Sequence, residues 1–373
     1  MVLSKSTNQR ESNIELLRII SIIFIVFFHL LTSLSGQIGN ASKFQTSLLF
    51  CFDPVGLVGV NIFIIISGYF LSTSTKLSFN HIIKFVLENI FYVILILVVG
   101  FICIKTNYIE KEQFYSGSTI GLIYNSFTNI IGSDYWFIIT YLFMYLLHPF
   151  INLLTNKLSN RNFILLILIS TLFSFLLPTL LFNNIQNNIG IFITSYLTGS
   201  YIRLNKDKIL QKKSINYLII SLSILVFNFV LVFILLYFQD TVSFFGGLAN
   251  SFSGRYNILA YFVATFLMMF TIKYPFHNKI INLFASTTLG VYILHEGKLK
   301  PILFKLIGVD TLLINSNNQL EVFKIICLWT IVVTIALMLI DLIRQFIFEK
   351  PIMKFINKYI LKNHKTLAIE EKL

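Results

Sequence analysis

The first long apolar stretch of the chain, from Asn13 to Leu34, most strongly limits what this protein can fold into. It has the length and apolar density of a membrane-spanning helix, since the hydrocarbon core of a bilayer requires about 20 mostly apolar residues. The stretch nevertheless contains Glu15, Arg18 and His29. Charged groups are costly in hydrocarbon, so they are rare in spans and usually face a protein interior or a watery cavity.

These three polar residues are predicted to share one face of the helix. Arg18 and His29 are eleven positions apart, which is about three helical turns and roughly 16 Å along the axis. Glu15 lies three residues before Arg18 and therefore falls on the same face. Two interpretations are open. Arg18 extends to lipid headgroups while His29 bonds to a neighbouring helix, or the stripe of polar side chains belongs to a functional site.

Composition places the whole chain in the membrane. Of 373 residues, 56% are hydrophobic and only 12% are charged, which excludes an ordinary soluble protein. We therefore predict an all-α fold, a polytopic bundle of membrane helices whose main partner is the lipid bilayer. The net charge of +13 is explained by membrane topology, and no nucleic-acid partner is expected. The three cysteines lack metal-binding spacing, so neither a metal site nor a disulfide framework is predicted.

The apolar pattern predicts ten spans in a membrane domain over residues 1–349, followed by a short basic cytoplasmic tail over residues 350–373. The sixth and ninth spans are short, which is compatible with burial inside the bundle. In chain order, the ten predicted spans are Ile14–Leu34, Pro54–Leu71, Ile82–Ile104, Tyr135–Leu154, Phe163–Phe182, Ile189–Ile202, Ile215–Phe238, Tyr256–Ile272, Leu283–Glu296 and Val322–Ile347.

The basic residues predict the orientation of these spans. With a cytoplasmic N-terminus, most of the 29 lysines and arginines fall in inner segments, as the positive-inside rule expects. Both termini are then cytoplasmic. Polar residues lie at both membrane surfaces, and the polar face of the first span joins them. This arrangement suits a protein that acts on both compartments, whereas a simple anchor would not need it.

Five short motifs occur in order along the chain. They are Arg18 and His29 separated by ten residues, GVNIFIIISGYFL over residues 59–71, Tyr135-Trp136-Phe137, LGVYILH over residues 289–295, and Glu349-Lys350-Pro351. Together they resemble the acyltransferase-3 group of integral membrane acyltransferases, which modify surface polysaccharides and related glycans in bacteria. The resemblance covers the whole chain and implies ten spans with cytoplasmic ends. The loop after the second span departs from the pattern, since it has only Lys76 and Lys84 where many relatives have several arginines.

The resemblance implies an O-acyltransferase, specifically an O-acetyltransferase, in the plasma membrane of a bacterium. The donor would be acetyl-CoA, with no permanently bound cofactor, and the acceptor a surface polysaccharide or lipid-linked glycan. His29 would act as catalytic base or acyl-relaying nucleophile, because imidazole transfers protons near neutral pH. Its carboxylate partner would be Glu296 or Glu15, and the sequence leaves both open. Arg18 would bind the phosphates of coenzyme A. The further candidates for donor or substrate binding are Glu15, Asn61, Ser67, Tyr135, Trp136, His295 and Glu349.

Several of these candidates also have a structural interpretation. Trp136 and Tyr135 could belong to an aromatic belt at the membrane interface, and Ser67 with Gly68 could permit close helix packing. A second class of function, a transporter or flippase of a lipid-linked glycan, would also place polar groups on both sides of a bundle. Transporters often show internal repeats and interrupted helices, and neither is evident in the sequence.

Overall fold

The computed structural model describes residues 10–33, 42–128, 135–181, 187–308, 319–359 and 366–368. Nearly all of these residues are helical. The helices are α1 (Ser12–Ser33), α2 (Lys43–Phe50), α3 (Pro54–Leu71), α4 (Phe79–Lys105), α5 (Lys111–Phe114), α6 (Thr119–Thr128), α7 (Trp136–Asn156), α8 (Asn160–Thr171), α9 (Leu177–Leu180), α10 (Asn188–Leu204), α11 (Lys206–Gln211), α12 (Ser214–Phe238), α13 (Phe244–Ser253), α14 (Ile258–Thr271), α15 (Lys279–Ala285), α16 (Thr288–His295), α17 (Lys300–Ile307), α18 (Gln319–Arg344) and α19 (Lys350–Tyr359). The predicted span ends at Leu34 and Phe182 lie outside the described residues.

Within the described part of the chain, seven helical stretches are long and apolar enough to cross a membrane. This confirms the all-α polytopic membrane bundle, whereas the count of ten spans and the cytoplasmic termini stay predictions. The seven stretches are Ser12–Ser33, Lys43–Leu71, Phe79–Lys105, Trp136–Asn156, Asn160–Leu180, Ser214–Phe238 and Leu320–Tyr359.

Helix α1 packs along α3 and also contacts α14, α15, α16 and α18. Its first turn is tied to a distant part of the chain. Asn13 donates to the carbonyl of Thr271 at 2.8 Å, and Ser12 donates to the side chain of Asn282 at 2.8 Å. These bonds satisfy polar groups that would be costly to bury alone. They fix the position of α1 relative to the end of α14 and to α15.

The predicted sixth span is α10, which is enclosed by other helices. It packs along the whole of α3, with glycines where the two backbones approach. A Cβ atom at Gly199 would collide with the carbonyl of Ile65, and one at Gly68 would collide with the carbonyl of Tyr196. Small residues allow such close packing between helices in membranes. Because α10 is largely surrounded by protein, it need not match the thickness of the hydrocarbon layer.

The predicted ninth span is not one helix, because the chain breaks at Ser286 and Thr287 between α15 and α16. Ser286 donates to the carbonyl of Leu283 at 2.7 Å, and Thr287 donates to that of Phe284 at 2.7 Å. Such side-chain bonds to the backbone compete with helix continuation. Gln345 donates to the Ser286 carbonyl at 3.0 Å, so the break is stabilised from outside. Irregular backbone at membrane depth is tolerated where it is buried or lines a cavity.

The last predicted span continues through a π-helical turn, Gln345–Glu349, into α19, which ends at Tyr359. Pro351 follows this turn, and proline, which lacks an N–H, commonly disturbs the regular helical bonding. The helical stretch therefore runs across the predicted domain boundary at residue 350. Beyond it, strand β2 (Thr366–Ala368) pairs antiparallel with strand β1 (Lys76–Ser78). This pairing joins the tail to the segment that follows α3.

Candidate active site

Two separate cavities lie at opposite ends of α1. The first, the Arg18 cavity, has a volume of about 380 Å³ and is lined by Arg10, Arg18, Phe63, Ser67, Phe70, Leu71, His81, Lys84, Phe85, Glu88, Tyr141, Ala285, Ser286, Thr288, Leu289, Arg344, Gln345 and Glu349. The second, the His29 cavity, has a volume of about 490 Å³ and is lined by Ile25, Phe28, His29, Thr32, Gly56, Leu57, Val60, Trp136, Phe137, Ser253, Gly254, Arg255, Tyr292, Glu296 and Lys300.

Arg18 is held in place at the wall of its cavity. Its Nη1 donates to Glu15 Oε2 at 2.8 Å, and its guanidinium lies 5.9 Å from the ring centroids of Phe63 and Phe70. Glu15 is buried and also lies 3.8 Å from Arg10. One buried carboxylate thus orients two arginines at the same opening. Arginine in this setting can bind a phosphate through two parallel hydrogen bonds.

A buried ionic cluster around Arg344 contributes Glu88, Arg344 and Glu349 to the lining of the Arg18 cavity. Arg344 lies 2.6 Å from Asp341, 2.9 Å from Glu349 and 3.3 Å from Glu88. Asp341 also accepts a short hydrogen bond from Tyr92. Asp341 and Arg344 are three residues apart on α18, a spacing that allows an ion pair on one face of a helix. The π-helical turn after Arg344 brings Glu349 to this cluster.

His29 is held by two residues at the end of α16. Its Nδ1 lies 2.8 Å from His295 Nε2 and 2.8 Å from Glu296 Oε2. The second nitrogen of His295, Nδ1, lies 2.7 Å from the carbonyl of Val291. A carbonyl only accepts, so His295 Nδ1 carries a proton and, in the neutral ring, Nε2 does not. His29 Nδ1 therefore holds the proton that His295 Nε2 accepts, with Glu296 at ion-pair distance, and His29 Nε2 is left with the lone pair.

This arrangement has the chemistry of an oriented general base. An imidazole keeps one tautomer and one ring orientation when a second group binds the nitrogen that does not take the proton from the substrate. Glu296 can stabilise the imidazolium that forms when His29 takes a proton. Glu296 also lies 3.6 Å from Lys300, and the rings of His29 and His295 stack with centroids 4.9 Å apart.

The same three side chains are the ones that could hold a metal ion among the described residues. One ligand atom from each of His29, His295 and Glu296 lies within 4.8 Å of the others. Two histidines and a carboxylate are a familiar ligand set for zinc. However, the separation of 2.8 Å between His29 Nδ1 and His295 Nε2 is that of a direct hydrogen bond. The sequence prediction of no metal stays a prediction.

Aromatic rings separate the two cavities. On α7, Tyr141 lines the Arg18 cavity, and Phe137, four residues away, lines the His29 cavity. On α3, Phe63 lines the Arg18 cavity, and Val60, three residues away, lines the His29 cavity. Phe63 lies 5.5 Å from Phe137 and 6.2 Å from Tyr141, measured between ring centroids. We call Phe63, Phe137 and Tyr141 the aromatic partition. About one helical turn, roughly 5 Å, separates the lining of one cavity from that of the other.

The structure divides the predicted site residues between the two cavities. Arg18, Ser67 and Glu349 line the first, whereas His29 and Trp136 line the second. Two further candidates lie directly behind these residues. Glu15 contacts Arg18, and His295 contacts His29.

Asn61 and Tyr135 line neither cavity. Asn61 is fully buried, donates to the carbonyl of Leu57 at 2.9 Å and accepts from Ser195 at 2.9 Å, so it joins α3 to α10. Tyr135 is buried, and its hydroxyl lies 3.5 Å from the carbonyl of Glu296. Both positions support neighbouring elements of the site.

Sequence reasoning missed several residues of the His29 cavity. Arg255, Tyr292 and Lys300 line it, and none of the three was among the predicted site residues. Glu296 was one of two possible carboxylate partners for His29, the other being Glu15. The sequence contains a signal that favours Glu296 as the partner of His29. Glu296 directly follows the site candidate His295, whereas Glu15 lies only three residues from Arg18 on the same helix.

A bundle of apolar helices that encloses polar cavities at both ends of one helix is a multi-pass membrane protein with an internal site. The family model described as an acyltransferase domain, of the acyltransferase-3 type, matches residues 11–341. The chain therefore belongs to this family and is a membrane acyltransferase, which confirms the resemblance seen in the motifs. No curated protein matches the chain significantly. No solved structure matches it either.

Proposed function

We propose that this protein is an O-acetyltransferase of a bacterial plasma membrane. It would move an acetyl group from cytoplasmic acetyl-CoA to a hydroxyl of an extracytoplasmic or lipid-linked surface glycan. One observation carries the proposal: Arg18 and His29 lie on one helix and line two cavities that meet at the aromatic partition. This layout suits a donor and an acceptor that arrive from opposite sides of the membrane.

The donor would enter the Arg18 cavity. Arg10, Arg18 and Lys84 line it and are suited to the phosphates of coenzyme A. Lys84 lies 3.3 Å from Glu349, so this lysine is already directed to the cavity wall. Lys84 lies in the first turns of α4 and belongs to the stretch after the second span that departs from the pattern of arginines in many relatives. Its presence here supports a donor-binding role for that stretch.

The acceptor would bind in the His29 cavity. His29 Nε2 would take the proton from the acceptor hydroxyl as its oxygen attacks the carbonyl carbon of the acetyl thioester. The carbon–oxygen bond forms, the carbon–sulfur bond breaks, and the thiolate of coenzyme A accepts a proton from the imidazolium. Arg18 would orient the donor, and Glu296 would orient the imidazole of His29. No oxidant, reductant or further reactant is needed.

The test measures acetyl transfer in membranes that contain variants at His29. Loss of the general base should lower the rate about 10²- to 10⁴-fold in His29→Ala. His29→Gln keeps much of the size and a hydrogen bond but cannot take a proton, so it should fail equally. Both proteins should still insert and bind acetyl-CoA. Rescue by His29→Gln would show that His29 is structural and would overturn the proposal.

A second candidate function is transport of a lipid-linked glycan. The break between α15 and α16 favours it, because interrupted helices are common in transporters. Mass spectrometry of the surface glycan from cells with and without the gene separates the two candidates. The acetyltransferase predicts a normal amount of glycan without its ester groups. The transporter predicts loss of the glycan itself, with unchanged acetylation of what remains.

A further inference from the structure

Two cations line the His29 cavity, and they differ in how they are paired. Lys300 lies 3.6 Å from Glu296, the carboxylate that also contacts His29. Arg255 also lines this cavity, but no carboxylate of the described residues lies within ion-pair distance of it. Arg255 therefore brings an uncompensated positive charge to the cavity.

Neutral groups hold Arg255 in position. Its guanidinium lies over the ring of Trp136, 3.9 Å from the centroid, and its Nη1 donates to Asn188 Oδ1 at 3.0 Å. The same oxygen accepts from the hydroxyl of Tyr256 at 3.1 Å. Trp136 is itself fixed by an edge-to-face contact with Phe192, with centroids 6.0 Å apart. Trp136 thus fixes one face of the guanidinium, and Asn188 fixes one edge.

A guanidinium in this position is prepared for an anion. Trp136 covers one face and Asn188 takes one N–H, whereas the planar group has five N–H donors in a fixed fork. That fork matches the two oxygens of a carboxylate or a phosphate. Partial burial weakens solvation of the charge, so an incoming anion gains more from pairing here than it would in water.

We propose that the acceptor carries an anionic group, a carboxylate or a phosphate, which Arg255 binds while the hydroxyl to be acetylated lies at His29. This inference rests on the proposed function, because it takes the His29 cavity as the acceptor site. It adds a property of the acceptor: the glycan is acidic. Arg255 and Trp136 form the subsite, and the ring of Trp136 packs against the guanidinium of Arg255 that pairs with the anion.

The chain offers a direct reporter for this subsite. It contains two tryptophans, Trp136 and Trp329, so Trp329→Phe leaves the subsite residue as the single tryptophan, which is excited selectively at a wavelength that tyrosine does not absorb. Purified protein in detergent is titrated, without any acyl donor and at constant ionic strength, with glucuronate and glycerol 3-phosphate. Neutral glucose and glycerol are the matched controls. We expect saturable changes in emission with one or both anions and none with the neutral compounds. The tighter anion identifies carboxylate or phosphate.

Variants then assign the response to Arg255. Arg255→Gln should weaken anion binding about tenfold or more, since hydrogen bonds to charged groups are the strong ones. Arg255→Lys keeps the charge but loses the fork, so its anion affinity should lie between that of the unaltered protein and that of Arg255→Gln. If Arg255→Gln does not fold, the affinity of Arg255→Lys tests the role of Arg255. Lys298→Gln removes the same charge outside the cavity lining and should leave binding unchanged.

Two results would overturn the inference. One is an equal response to glucose and glucuronate. The other is undiminished anion affinity in folded Arg255→Gln or Arg255→Lys, which would mean that Arg255 only links its loop to Asn188. Neither result involves the donor or the transfer step, so the proposed acetyl transfer would stand or fall separately with the His29 variants.

Discussion

Arg18 and His29 lie on one face of α1, but they open into different cavities. The buried Glu15 orients the first residue, and Glu296 at the end of α16 contacts the second. The stripe of polar side chains is therefore not a continuous channel. The rings of the aromatic partition lie between the linings of the two cavities, and we expect a group that passes from Arg18 to His29 to pass these rings.

The aromatic partition should control access between the cavities. Native cysteines at positions 51, 103 and 327 are first replaced by serine, and Val60→Cys places a thiol on the His29 side. A membrane-impermeant thiol reagent applied to the Arg18 side, in inverted vesicles, should not label this cysteine. Adding Phe63→Ala removes a ring from the partition, so labelling from that side should rise at least several-fold.

A matched control separates opening of the partition from general loosening. Phe355→Ala removes the same ring from an exposed position on α19, outside both cavities. It should leave labelling of Val60→Cys unchanged. Strong labelling before Phe63 is changed would show that the cavities already communicate and that the rings form no barrier.

Arg18 should determine use of the donor. Arg18→Ala removes the guanidinium from the Arg18 cavity, so the KM for acetyl-CoA should rise by about tenfold or more, as expected for loss of hydrogen bonds to a charged group. Arg18→Lys keeps the charge without the fork and should retain part of the affinity. Steady-state kinetics in membranes check both. Near-normal KM values in both variants would leave Arg18 as a lipid-headgroup anchor.

Arg344 should be important for stability. It is buried and contacts three carboxylates, so Arg344→Leu leaves buried negative charges without compensation. Loss of one partner from a buried ionic cluster typically costs about 3–5 kcal/mol. The midpoint of thermal unfolding in detergent should fall clearly. Arg161→Leu, at an exposed position, is the control and should shift it little. Equal midpoints in the two variants would contradict this role.

Orientation can be tested at two exposed positions on opposite ends of the bundle. With a cytoplasmic N-terminus, position 187 lies outside and position 208 inside. In a cysteine-free background, an impermeant reagent should label Asn187→Cys in intact cells and leave Lys208→Cys untouched. The reverse pattern would invert the assignment of both cavities to membrane sides, including the side from which acetyl-CoA enters.

Much of the architecture could be predicted from sequence because span length is set by the bilayer. The second predicted span, Pro54–Leu71, coincides with α3, and the shared face of Arg18 and His29 follows from helical periodicity alone. Such local rules operate over a few turns of one helix. They gave no warning of the break at Ser286 and Thr287, because an outside partner, Gln345, stabilises it.

The composition of the His29 cavity was harder to predict for the same reason. Trp136, Arg255 and Glu296 come from three separate parts of the chain, and packing alone brings them together. Sequence reasoning left both Glu15 and Glu296 as possible partners of His29. The structure separates them, since Glu15 is bonded to Arg18 and Glu296 contacts His29.

The thinness of the aromatic partition has an electrical consequence. Where water-filled cavities approach from both sides, most of the membrane voltage falls across the short stretch between them. In the proposed reaction the electrons of the carbon–sulfur bond stay with coenzyme A, so the acyl group moves outward as the equivalent of one positive charge, and one proton moves inward to the thiolate. The two movements cancel, because the products on each side carry the same charge as the reactants. The equilibrium of the transfer should therefore be insensitive to the membrane potential, although that potential acts on every charge that crosses the same stretch alone.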